Sequence, residues 1–178
     1  MLSQHDLKRL FSYSTIEHSG LVAVALAIGT PLGLFAAILH VLNHAFAKSA
    51  AFLACGMVFY ERGTTRIGAL RGLFSSASGK VLLFAIVGLA GFPPLGMFFS
   101  ELLILIAAVA AHNWAATSLA GVGLVLGFAA LARLAVDTES GDAPAHQTPR
   151  LALIAAGCLG VAMVAGAIVP FVPWARFI

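Results

Sequence analysis

The chain has 178 residues, of which 61% are hydrophobic and only 10% charged, with a formal net charge of +3. Soluble domains carry roughly 25% charge, so this composition excludes an ordinary soluble domain, and the small positive excess belongs to membrane loops rather than to nucleic-acid contact. Only two cysteines occur, Cys55 and Cys158, with no CxxC pair between them, so no iron–sulfur cluster or structural zinc site is expected.

The apolar pattern predicts an all-α polytopic transmembrane bundle of about six spans, each of roughly 20 residues. The first covers residues 10–28. Gly29-Thr30-Pro31 then ends it and starts the next, with Thr30 as N-cap and Pro31 in the first turn. The second span, residues 31–60, would be about 45 Å long, so it must tilt or protrude from a hydrocarbon core of about 30 Å. A basic loop carrying Arg62, Arg66 and Arg71 follows. The third span, residues 76–92, ends at Gly91-Phe92-Pro93-Pro94, a helix break because neither proline can donate a backbone hydrogen bond. The fourth, fifth and sixth spans cover residues 95–111, 114–136 and 151–170, with a hydrophilic loop, DTESGDAPAHQTPR, between the last two. Trp174 and Arg176 form an aromatic and basic anchor at a membrane surface. One bundle spanning residues 1–178, without a soluble domain, accounts for the whole length.

Ionisable residues inside apolar helices carry the functional signal, because charge in lipid is costly and marks ion paths or internal pairs. His40, His44 and Lys48 recur every fourth residue and share one face of the second span. Histidine and a buried lysine can exchange protons near neutral pH. A metal site is the competing reading of the histidines, opposed by the ammonium beside them. Glu101 follows the proline break by less than two turns, as in transporters whose broken helices set charge at the midplane. Glu17 and His18 sit on a face with Ser14 in the first span, suited to a carboxylate–imidazole relay. Asp6, Lys8 and Arg9 read, by themselves, as a charged flank.

Three ordered strings, DLKRLFSYSTIEHSG, LHVLNHAFAKSAAFLACG and GLAGFPPLGMFFSELLIL, resemble the later helices of the antiporter-like membrane subunits. Respiratory complex I, multisubunit cation/proton antiporters and membrane-bound nickel–iron hydrogenases share that superfamily. IEHSG, NHAFAKS and FPPLGMFFSE are most similar to the component F branch of the hydrogenase-4 group. The likeness covers residues 5–105; residues 113–178 match in hydropathy alone.

The resemblance implies particular roles. Lys8 falls at a lysine of the family's central hydrophilic axis, and Lys48 at the lysine of the second half-channel. His44 matches the histidine of the same string, and Glu101 the ionisable residue on the broken helix that ends the path. The family has two inverted repeats, and this chain supplies the second and little more, so it reads as a C-terminal portion, a split product or a fragment.

The expected function is proton translocation in a membrane-bound hydrogenase or NADH dehydrogenase-like complex. The candidate path is Lys8, Glu17, His18, His40, His44, Lys48 and Glu101, with no cofactor, metal or catalytic residue on this chain. The expected partners are other membrane subunits, peripheral redox subunits and lipid, without nucleic acid, in the cell inner (plasma) membrane. The alternatives are one component of a multisubunit cation/proton antiporter and an inactive truncated fragment.

Overall fold

The computed structural model describes residues 1–139 and 150–168. They form six α-helices: α1 (Leu7–Ala27), α2 (Pro31–Arg62), α3 (Ala77–Leu89), α4 (Gly96–Ala110), α5 (Trp114–Glu139) and α6 (Arg150–Ala165). Two short 3-10 turns, Ile67–Ala69 and Leu73–Ser75, link α2 to α3. Residues 140–149 of the predicted hydrophilic loop, the last two residues of the predicted sixth span, Trp174 and Arg176 lie outside the described residues.

The helix boundaries follow local chemistry. Asp6 caps α1, its carboxylate accepting from the Arg9 amide at 3.2 Å and from the Thr65 hydroxyl at 2.6 Å. Partial burial raises the affinity of that carboxyl for its proton. The hydrogen bonds from Thr65, Arg9 and Lys8, with the Arg9 charge, outweigh burial and hold Asp6 below its ordinary pKa. Because the cap already sits at Asp6, α1 starts three residues earlier than the sequence predicts. Thr30 caps α2 by accepting from the Gly33 amide at 3.1 Å, with Pro31 in the first turn, as the sequence indicates. The helix stops at Gly63, whose left-handed φ of 68° only glycine adopts readily.

At 32 residues, α2 is about 48 Å long. It is the central element and packs against α1, α3, α4 and α6. Its packed face is lined by Ala36, Ala37, Ala47, Ala50, Ala51 and Ala54, all buried. Small side chains let neighbouring backbones approach closely, which is how helices associate in a medium where burying leucine gains nothing. The large apolar residues of α2 turn outward instead: Ile38, Val41, Leu42, Phe52 and Phe59 are exposed, as are Val122 and Val125 of α5. Such a surface is adapted to lipid or to adjoining helices, not to water.

Among the described residues, α2 and α5 are long and apolar enough to cross a membrane, whereas α3 and α4 are shorter apolar helices. The predicted third span runs three residues too far at its C-terminal end. Gly91, at φ 65°, and the cis-linked Pro93-Pro94 pair separate the end of α3 at Leu89 from the start of α4 at Gly96. The break is tied to the central helix by Asn43, whose amide donates to the Gly96 carbonyl at 2.9 Å. Bare Cα atoms make room for that amide: a Cβ on Gly96 or Gly166 would lie 2.4 or 2.0 Å from Asn43 Oδ1.

Among the described glycines, Gly79 lies closest to other main chain, since a Cβ there would stand 1.8 Å from the Leu73 carbonyl oxygen. The obstacle is main chain and cannot rotate away. Gly79→Ala is expected to destabilise the α3 docking by about 1–3 kcal/mol, read as a lowered melting temperature in detergent. Gly20→Ala, which meets nothing within 4 Å, serves as the tolerated control.

Candidate functional site

Lys48 is buried at 7% exposure on the face of α2 that meets α1. Its ammonium donates to the Ser14 hydroxyl and to the Phe11 carbonyl, and lies 5.9 Å from the centre of the Phe11 ring. Ser14 in turn donates to the same Phe11 carbonyl at 3.1 Å. The charge is therefore met by neutral acceptors that one turn of α1 supplies. Ser14 is one turn from His18 on the same helix, so the face that receives the lysine continues into an imidazole.

His18 and His40 are at 2% and 0% exposure. His18 Nδ1 lies 3.2 Å from His40 Nε2, and His40 Nδ1 lies 3.0 Å from the Ser100 hydroxyl of α4. His44, half-buried one turn further along α2, stands 4.8 Å from His18 between ring centres. The i, i+4 stripe read from the sequence thus meets α1 on one side and α4 on the other. Among the described residues, no group of three or more His, Cys, Asp or Glu side chains converges as metal ligands. The facing nitrogens of His18 and His40 are engaged with each other.

Beside the histidines a cavity of about 300 Å³ is lined by Glu17, His18, Glu101, Gly91, Gly127 and Phe98, among others. Two glycines shape its carboxylate walls. A Cβ on Gly91 would stand 2.0 Å from Glu101 Oε2, and one on Gly127 would stand 1.9 Å from Glu17 Oε1. Glu101 is 8% exposed and sits in the second turn of α4, where the break delivers it. The arrangement can hold exchangeable protons on two carboxyls and the His18 imidazole around a space large enough for several waters, with His40 and His44 against His18.

Six of the seven predicted site residues, Glu17, His18, His40, His44, Lys48 and Glu101, meet along this α1–α2–α4 seam. Lys8 does not. It is exposed on this chain, with its ammonium 5.2 Å from the centre of the Phe59 ring. Ser100, Gly91 and Gly127 do not stand out in the sequence as site residues. Ser100 left one usable signal, a small hydroxyl directly before the one carboxylate in an apolar run.

A helical bundle with an apolar outer surface, whose central helix carries buried histidines and a lysine next to a broken helix with a buried carboxylate, has the make-up of a polytopic membrane protein. Residues 1–127 match the family described as NADH:quinone oxidoreductase/Mrp antiporter, transmembrane, and the chain belongs to that family. It is 40% identical over 148 residues to a hydrogenase-4 component F homolog of Methylacidiphilum infernorum, covering 82% of this chain and 31% of that protein. It is also 40% identical over 111 residues to a probable K(+)/H(+) antiporter protein of Rhizobium meliloti, covering 61% of this chain and 11% of the relative. Among solved structures it superposes on a chain of the membrane-bound sulfane sulfur reductase, an archaeal respiratory membrane complex. There the TM-score is 0.86 at 30% identity, over 94% of this chain and 29% of the other. The chain therefore spans about a third or less of the length of these relatives. Like the prokaryotic members of its family, it is a multi-pass protein of the inner or plasma membrane.

Gly127→Ala is expected to displace the Glu17 carboxyl from the cavity, whereas Gly121→Ala, earlier on α5, meets nothing within 4 Å. In carbodiimide labelling of the native complex, Gly127→Ala should change the modification of Glu17 at least about twofold, a difference of roughly 0.4 kcal/mol in accessibility, and Gly121→Ala should not.

Proposed function

We propose that this chain is the C-terminal portion of a proton-translocating membrane subunit of a membrane-bound hydrogenase or NADH dehydrogenase-like complex. The observation that carries this reading is the continuity of the buried polar seam. The Glu17 and Glu101 cavity reaches His18, the His44 ring stands 4.8 Å from His18 between centres, and Lys48 binds Ser14 one turn from His18. Protons move along it through side chains and intervening water. Lys48 acts as the charge-storing step: an ammonium held by neutral acceptors in a low-dielectric bundle responds strongly to any charge that moves nearby. Glu101, at the broken helix, exchanges protons with the cavity. Lys8 lies off this seam, on a face open to an adjoining segment or subunit.

The partners under this reading are the other membrane subunits of the same complex and its peripheral redox subunits. The sequence offers no candidate redox centre, so electron transfer is assigned to those partners. A second reading, one component of a multisubunit cation/proton antiporter, draws on the likeness to the Rhizobium meliloti relative. The buried seam serves either assembly. Copurification separates them: large nickel–iron hydrogenase subunits favour the first, and only antiporter components favour the second.

Lys48→Ala in the intact complex is expected to lower coupled proton uptake by inverted membrane vesicles by about tenfold or more, equivalent to roughly 1.4 kcal/mol or more on the limiting step. Uptake equal to that of the unmodified complex would remove the proposed function and leave an inert bundle.

A further inference from the structure

The histidine pair holds a hydrogen-bond chain with a direction, and its significance rests on the proton path proposed above. Ser100 has one hydroxyl hydrogen and gives it to the Met97 carbonyl, 2.9 Å away. The same oxygen lies 3.0 Å from His40 Nδ1, a nitrogen that donates or accepts according to tautomer; with the hydroxyl hydrogen on the carbonyl, which can only accept, the oxygen receives from the ring. His40 Nδ1 therefore carries a hydrogen whether the ring is neutral or cationic. In the neutral ring the other nitrogen, Nε2, is bare, and it faces His18 Nδ1 at 3.2 Å. Two bare nitrogens in a buried contact would oppose their lone pairs, so His18 Nδ1 donates. That leaves His18 Nε2 as a lone pair. This atom is buried and, among the described residues, without a hydrogen-bond partner. Its ring lines the cavity that Glu17 and Glu101 share.

We propose that Ser100 polarises this chain, making His18–His40 a proton-storing side branch loaded and unloaded only through His18 Nε2, rather than a link in a through-path. Loading balances as follows. A proton leaves a hydronium, or a protonated Glu17 or Glu101 carboxyl, and forms an N–H bond at His18 Nε2, leaving water or a carboxylate. The hydrogen on His18 Nδ1 then crosses to His40 Nε2. His18 is neutral again, with its hydrogen now on Nε2, and His40 is the imidazolium. Going further would require Ser100 to take the His40 Nδ1 proton and release its own to the Met97 carbonyl. An amide carbonyl is far too weak a base to accept it, so the chain stops there. Unloading reverses the same steps. Ser100 is a positioning residue: it touches no transported proton and acts by fixing the tautomer of His40.

The test is magic-angle-spinning NMR of the histidine-¹⁵N-labelled complex, with His40 assigned by difference against His40→Gln. The expected result is a neutral His40 protonated at Nδ1. Ser100→Ala should shift it to the Nε2-protonated form, and Ser100→Thr, which keeps the hydroxyl, should restore the original signal. An Nε2-protonated His40 in the unmodified complex, or no change in Ser100→Ala, overturns the proposal. Coupled proton uptake supplies a second readout. As a side branch, His40→Gln slows uptake less than Lys48→Ala does; a loss as complete as that of Lys48→Ala makes the pair part of the through-path and overturns the proposal. The tautomer readout does not depend on transport, so failure of the proposed function is seen separately, in an inert Lys48→Ala.

Discussion

A lysine in the middle of an alanine-lined helix can be kept inside this bundle only because α1 turns a carbonyl and a serine toward it. The contact between Lys48 and the Phe11–Ser14 turn fixes how α1 lies on α2. The other polar contacts that α1 makes in the seam follow from that registration. One turn further along α1, His18 meets His40; at the adjacent position, Glu17 reaches the space beside Gly127. Leaving a buried ammonium without acceptors costs several kcal/mol. The alternative packings in which α1 slides or rotates are thereby disfavoured, even though the apolar contacts themselves are small and tolerant.

The broken helix sets the other wall. A continuous helix from α3 into α4 would satisfy its backbone internally and would carry Glu101 wherever the 3.6-residue period put it. The break at Gly91–Pro94 instead lets α4 begin afresh, anchored by Asn43 at Gly96. Glu101 and Ser100 then face inward on one turn. Ser100 bonds toward His40 and Glu101 fills the space that Gly91 leaves open. The same backbone interruption thus delivers both a buried carboxyl and the hydroxyl that meets His40. Irregular backbone at membrane depth is tolerated where it lines such a cavity.

Much of this was legible in the sequence because it is local. The six helices, the Thr30–Pro31 start and the His40–His44–Lys48 stripe all rest on spacing within one helix, which period and capping chemistry determine. Glu101 and the Glu17–His18 pair stood out because charge is rare in apolar runs. What was not legible depends on contacts between distant segments. Ser100 meets His40 across 60 positions, and no pattern in either helix announces the pairing. Gly91 read correctly as a breaker, but its second role, leaving space for a carboxylate, needs the fold. The contact of Lys8 with the Phe59 ring likewise joins two helices 51 positions apart, which no spacing within α1 reveals.

The most direct measurement is a high-resolution density map of the intact assembly containing this chain. The account predicts ordered water in the cavity, bridging His18 Nε2 with Glu17 and Glu101 and extending toward His44 and Lys48. An acyl chain or an apolar side chain from a neighbouring helix filling that space, with no water between the carboxylates and the histidines, would contradict it.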